Sequence, residues 1–273
     1  MTFRTLRAPA AFSGTGLHTG RAGRVRCLPA PAGSGIVFLR TDRPDMPPVR
    51  ASVAAVTGAA RSVTLGPPPG IHTVEHLLAA AAALGLSDLR VEVEGDELPA
   101  LDGSARPIAQ AMEEAGVVDL GGTPCVIKLR RPVWVADGEA SVLALAAPEL
   151  RITYVVPLRA PALGTQIVDA PAAEFPRLLD ARTWGYVDDV EALRRTGLAR
   201  GAGAHNALGI GPDGYLAPPR GADEPARHKA LDLLGDLSLL GARLRAHVIA
   251  VAAGHRLHLA LVRAVLERSE EAA

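Results

Sequence analysis

The chain has 273 residues, 48% of them hydrophobic, with 29 basic side chains against 29 acidic ones. That is apolar material for a large core in one or two domains, and the balanced charge lacks the basic excess that nucleic acid binding requires. The longest apolar run, near Leu77 to Leu86, is far too short to span a bilayer, and no signal peptide is read at the start, so a cytoplasmic enzyme is expected.

In chain order, residues 24–28 and 36–39 read as strands. Residues 74–84 are rich in Leu and Ala with no interior Gly or Pro, and Gly85 stops them, so they predict a buried helix. Residues 89–94 alternate as a strand does, and 104–114 predict a further helix. The break at Gly121-Gly122-Thr123-Pro124 separates two halves, and the second repeats the plan of the first. There 126–135 and 140–156 are strand-rich, and 175–180 and 188–195 look helical. From Glu224 to Leu240 apolar residues recur at mostly helical intervals, with Pro225 suited to the first turn. A strand at 245–251 and a helix at 257–266 close the chain. The expectation is an α+β fold of two similar halves, 1–121 and 124–273. Cys27 and Cys125 suggest no disulfide framework and are read as small core residues.

The chemistry sits on the helices. His228 and Asp232 stand four apart, so they project from one helix face within reach of a single ion. Glu75 and His76 are consecutive and diverge by about 100° around the axis, so one can bind metal while the other reaches a water held there. His255, in Ala253-Gly254-His255, completes a set of three metal ligands, a carboxylate base and an imidazole acid. Zinc accepts His and Asp ligands, and a catalytic site leaves one position to water. Metal-assisted hydrolysis is the reading. Each pattern alone has a plainer one: His-x-x-x-Asp is usually a solvated helix face, and Glu suits a helix N-terminus whatever its chemistry. Weight comes from their ordered co-occurrence with Gly254-His255 and with Leu101-Asp102-Gly103-Ser104-Ala105.

Together these residues resemble the UDP-3-O-acyl-N-acetylglucosamine deacetylases, zinc amidases of lipid A synthesis. The resemblance covers nearly the whole chain, through Gly14-Thr15-Gly16-Leu17-His18-Thr19-Gly20 and the segments 72–78, 101–105, 181–186, 228–237 and 254–255. It implies that His76, His228 and Asp232 hold Zn2+, with iron as an alternative in vivo. Glu75 would be the general base, His255 the general acid oriented by Asp236, and Thr183 would polarise the amide carbonyl or its oxyanion. Because His255 begins an apolar helical stretch, the positive end of the dipole disfavours its charged form, and a nearby carboxylate has to offset this. Asp236, four residues beyond Asp232 on the same face, is suited to that.

The resemblance also implies two α+β domains with helices sandwiched between sheets, the metal at their junction, and an acyl-chain passage made by an insertion in the second half. Tyr186, Val190, Ala199, Gly203 and Ala204 match that passage, although packing explains such small or apolar residues nearly as well. Lys229, one of two lysines beside Lys128, falls near the substrate diphosphate. His18, Trp184 and Tyr186 are the further expected sugar or substrate contacts. The partner implied is a small-molecule acylated nucleotide sugar, with no nucleic acid, no transmembrane segment and a monomeric chain. Two positions depart from the family pattern: Ala252 stands where lysine is usual and His258 where asparagine is. Two other readings stay open. His72-Thr73-Val74-Glu75-His76 is an H-x-x-E-H string, which in zinc peptidases supplies both histidine ligands. A binding protein that has lost turnover is the third.

Overall fold

The computed structural model describes residues 2–270, and the same plan of strands and helices is laid down in it twice. The first half holds β1 (Phe3–Leu6), β2 (Ala10–Thr15), β3 (Ala22–Pro29), β4 (Ile36–Arg40), β5 (Val49–Arg50), β6 (Val56–Gly58), β7 (Thr64–Leu65), β8 (Ile71–His72), α1 (Glu75–Ala83), β9 (Leu89–Glu94), α2 (Arg106–Ala115) and β10 (Val117–Gly121). The second holds β11 (Val126–Lys128), β12 (Val133–Asp137), β13 (Ala140–Ala146), β14 (Arg151–Pro157), β15 (Thr165–Pro171), α3 (Phe175–Leu178), β16 (Trp184–Tyr186), α4 (Val187–Arg195), β17 (Leu208–Gly211), β18 (Gly214–Tyr215), α5 (Glu224–Leu237), β19 (Arg243–Val251) and α6 (His255–Glu270).

The first large sheet runs β2-β3-β9-β4-β5, with β9 antiparallel to β3 and parallel to β4. The second runs β12-β13-β19-β14-β15, with β19 antiparallel to β13 and parallel to β14. In both, the central strand follows one helix, α1 or α5, and leads into another, α2 or α6. Leu89, Val91 and Val93 of β9 and Leu244, Ala246, Val248 and Ala250 of β19 are buried at every second position, which turns one face of each sheet inward. The helices lie against those faces. α1 packs on α2 and α5, α2 on β2, α5 also on β14 and β15, and α6 on β12 and β13. The α+β architecture expected from the sequence is the one observed.

Beyond Glu75 and His76, α1 is Leu and Ala alone, apolar around its whole circumference, so only an interior position suits it. α5 is more telling: every residue from Glu224 to Leu237 except Lys229 is buried, including His228, Asp232 and Asp236. Glu224 and Arg227 are buried there too, and buried ionisable groups are rare unless paired or functional, so a helix carrying five of them through the core marks the site.

Three features differ from the sequence reading. The predicted helix to Leu240 ends at Leu237 and tightens into a 3-10 turn at Ser238–Leu240, and the last helix begins at His255 rather than 257. Two small sheets, β6-β7-β8 and β16-β17-β18, were not foreseen, because their strands are two to four residues long and too short to show a period. Cys27 is buried in the core but Cys125 is exposed, and both thiols are free. Among the described residues, no helix is long and apolar enough to cross a membrane.

Candidate active site

Glu75 is the first residue of α1, set there by Thr73, whose backbone takes the left-handed conformation at φ 60°. The Val63 amide donates to Glu75 Oε2 at 3.0 Å, which pins one carboxylate oxygen and leaves Oε1 facing His255 Nε2 at 3.9 Å. Burial pushes the Glu75 carboxyl up to about 7, against the pull of the His255 charge. His76, one residue on, turns toward α5.

His228, Asp232 and Asp236 follow one another at intervals of four on the buried face of α5. Asp232 Oδ1 lies 3.7 Å from His76 Nε2 and 3.5 Å from His228 Nε2, and the two imidazoles meet edge to face at 5.2 Å. Lys229 Nζ donates to the other oxygen, Asp232 Oδ2, at 2.6 Å. Burial holds His228 down at about 3 and also lowers His76, so both rings are neutral near pH 7, the form in which imidazole ligates a metal. Asp232 is held ionised: burial acts to raise its carboxyl, but the surrounding His228, Lys229, His255 and His76 side chains outweigh it.

The three groups form one of the clusters that could hold a metal ion. Ligand bonds of about 2.0–2.2 Å in a tetrahedral site put ligand atoms about 3.3–3.6 Å apart. The separation of 3.5 Å falls within that spacing and 3.7 Å just beyond it, and the donor set of two neutral imidazoles and one carboxylate is the kind zinc takes. The residues fit the ion.

His255 opens α6 and donates from Nδ1 to Asp236 Oδ2 at 2.7 Å, while its Nε2 lies 3.9 Å from both Glu75 Oε1 and Asp232 Oδ2. Burial acts to lower His255, but the Asp236, Asp232 and Glu75 carboxylates outweigh it and raise the imidazole to about 9. The carboxylate that the helix dipole made necessary is in contact with the ring.

These groups open on a cavity of about 860 Å³. Glu75, His76, Thr183, His228, Lys229, Asp232 and His255 line it, whereas Asp236 stands behind His255 and does not. His18, Trp184, Tyr186, Val190, Ala199, Gly203 and Ala204 line it as well, so the structure gathers the sequence-selected positions around one space. Val187, Val190 and Leu193 of α4 recur at helical spacing along its wall, and no residue of α4 is fully buried. That helix has an apolar side facing the cavity. Thr183 is placed by its amide, which donates to Gly103 O at 2.7 Å; Gly103, at φ 84°, lies so close to the Asn206 backbone that any side chain there would collide with it. Of the five non-glycine residues with left-handed backbone among the described residues, four, Arg61, Thr73, Ala199 and Ala252, line the same cavity, the clustering of strain seen at functional sites.

Several participants were not legible in the sequence. Buried Glu97 accepts from the His18 and Thr19 amides and from the Thr19 and Thr73 hydroxyls, tying the His18 loop to the lead-in of α1. Arg159 stacks on Tyr186 with its guanidinium carbon 3.7 Å from the ring centroid, and donates to Asp189. His258, noted only as a departure from a family pattern, is fully buried against Asp236. His72 is not where the H-x-x-E-H reading needs it. It lies in β8 outside the helix, its Nε2 donating to Pro69 O and its Nδ1 accepting from Thr64 Oγ1, both at 2.9 Å.

Comparison with known proteins points the same way. The UDP-3-O-acyl-N-acetylglucosamine deacetylase of Trichormus variabilis is 42% identical over 279 residues, covering 98% of this chain and 100% of that protein. Those of Phenylobacterium zucineum and Myxococcus xanthus are 40% and 38% identical, covering 97% and 96% of this chain and 94% and 86% of their own lengths. A profile of the UDP-3-O-acyl N-acetylglycosamine deacetylases matches residues 3–267, and the chain belongs to that family.

Proposed function

We propose that this chain is a Zn2+-dependent amidase that removes the N-acetyl group from a UDP-3-O-acyl-N-acetylglucosamine-type substrate in lipid A biosynthesis. The observation that carries the reading is the meeting of His76, His228 and Asp232 beside Glu75 and His255, on a cavity that Val187, Val190 and Leu193 of α4 help to line. Held by the two imidazoles and the carboxylate, Zn2+ supplies Lewis-acid polarisation of the amide carbonyl and a reactive water at neutral pH.

The chain's own groups do the rest. Glu75 Oε1, the oxygen that Val63 leaves free, accepts the proton of the attacking water. The Thr183 hydroxyl hydrogen-bonds the carbonyl oxygen as negative charge collects on it. His255 Nε2 donates its proton to the sugar nitrogen as the C–N bond breaks, leaving acetate and a free amine. Asp236 keeps that ring charged and aimed. Lys229, His18, Trp184 and Tyr186 contact the nucleotide sugar, and Val190, Ala199, Gly203 and Ala204 flank the acyl chain. We read residues 1–121 and 124–273 as two domains with this site between them, since His18, Glu75 and His76 come from one and the remaining groups from the other.

The test is acetate release from UDP-3-O-acyl-N-acetylglucosamine by protein of measured zinc content. About one zinc per chain with turnover supports the reading. Zinc bound without any acetate released would favour a binding protein.

A further inference from the structure

On the back of His255 the hydrogen bonding converges on a single atom. Asp236 Oδ2 receives His255 Nδ1 at 2.7 Å and His258 Nδ1 at 2.7 Å, while buried Asp236 Oδ1 has no hydrogen-bond partner. His255 and His258 stand three apart on α6 and share the face turned to α5. The orientation of this carboxylate therefore rests on two imidazoles, one of which enters the cavity and one of which does not.

His258 is itself fixed from behind. Asp236 is held ionised and can only accept, so both rings donate to it from Nδ1. The other nitrogen of His258, Nε2, lies 2.8 Å from the hydroxyl of Tyr154, which also lies 2.8 Å from the Ala253 carbonyl. Tyr154, fully buried on the inward face of β14, thus touches both the turn that launches α6 and the ring one step behind the site. The one Tyr154 proton serves either Nε2 or the Ala253 carbonyl, and the His258 ring, with no solvent exposure, is enclosed between Asp236 and Tyr154.

We propose that His258 is a positioning residue: clamped by Tyr154, it fixes Asp236 in the rotamer that aims His255 Nε2 at the departing amine. This rests on the deacetylase reading, and the turnover of the unaltered enzyme tests that reading separately. Asn and Leu share the same branched heavy-atom skeleton, and only Asn keeps an N–H where His258 Nδ1 donates. His258→Leu leaves Asp236 with the single donor it is meant to aim.

The experiment compares kcat, KM, zinc content and thermal midpoint for the unaltered enzyme, His258→Leu, His258→Asn and Tyr154→Phe. His258→Leu is expected to lower kcat by roughly 10–100-fold, the cost of a misplaced reacting group, with KM and one zinc per chain retained. His258→Asn recovers most of that loss. Tyr154→Phe, which removes only the hydroxyl, lowers kcat in the same direction and by less, and it decides the matter if His258→Leu does not fold. Equal kcat for the Leu and Asn variants, or a Tyr154→Phe enzyme with unaltered kcat when His258→Leu is unfolded, overturns the assignment. An inactive unaltered enzyme would instead count against the deacetylase reading.

Discussion

Gly235 and Glu75 lie backbone against backbone where α5 crosses the start of α1: a Cβ on Gly235 would stand 2.9 Å from the Glu75 carbonyl carbon and 3.1 Å from its Cα. A glycine inside a helix costs about 1 kcal/mol relative to alanine, and what it permits here is the approach that sets Glu75 beside Asp232 and His255. Gly235→Ala should therefore behave unlike an ordinary helix substitution. Overpacking costs about 1–3 kcal/mol, more than the propensity gained, so the thermal midpoint is expected to fall. Turnover should fall further than substrate affinity, because the proton acceptor is displaced while the cavity wall is not. A variant with an unchanged or higher midpoint and full turnover would show that the crossing is not tight.

Glu75→Gln removes the basic oxygen and keeps the volume. Its expected effect is a loss of about 10²–10⁴-fold in kcat, the usual contribution of a general base. Zinc stoichiometry should be retained, since Glu75 is not among the clustered ligands His76, His228 and Asp232. Loss of metal together with activity would reassign the carboxylate as a ligand.

The pH profile follows from opposite demands on two neighbours. Glu75 has to be ionised to accept a proton, and its carboxyl is raised by burial to about 7, so activity should climb as pH rises through that region. His255 has to be charged to donate, and its carboxylate neighbours raise it to about 9, so activity should fall as pH rises beyond that. A bound cation favours the less positive form of both groups and moves both limbs to lower pH. The expected curve of kcat/KM against pH is a bell, with limbs at or below these two values, that belongs to the coupled pair. A flat response between about pH 5 and 10 would remove the acid and base roles together.

Helix spacing together with the family resemblance made the candidate site legible in the sequence. Intervals of four among His228, Asp232 and Asp236 placed them on one face, and the stop at Gly85 and the Pro225 start bounded the two helices that carry the clustered His76, His228 and Asp232. The duplicated plan was visible as an order of strands and helices, although the two sheets share no residue-level repeat that sequence alone exposes. What stayed hidden depends on contacts distant in sequence. Nothing around Glu97 says that its carboxylate will gather a loop 79 residues earlier, and nothing around Tyr154 points to a histidine 104 residues later. The small sheet β16-β17-β18 was also beyond reach, because Gly185, Gly209, Gly211 and Gly214 supply no side chains to set a period.

The H-x-x-E-H string offers the sharpest discrimination between chemistries. A zinc peptidase of that kind needs both histidines on one helix, yet His72 precedes α1, sits in β8, and spends both ring nitrogens on Thr64 and Pro69. A ring with Nε2 donating to a carbonyl has no lone pair left there for a cation. His72→Ala should therefore retain about one zinc per chain, with a modest loss of stability from the two hydrogen bonds, each contributing about 0.5–1.5 kcal/mol. His228→Ala should lose the metal, because it removes one of three ligands whose atoms lie within 4.8 Å of one another. Metal analysis of the two purified variants decides between the arrangements: zinc lost from the His72 variant and kept in the His228 variant would reverse the assignment and with it the deacetylase reading.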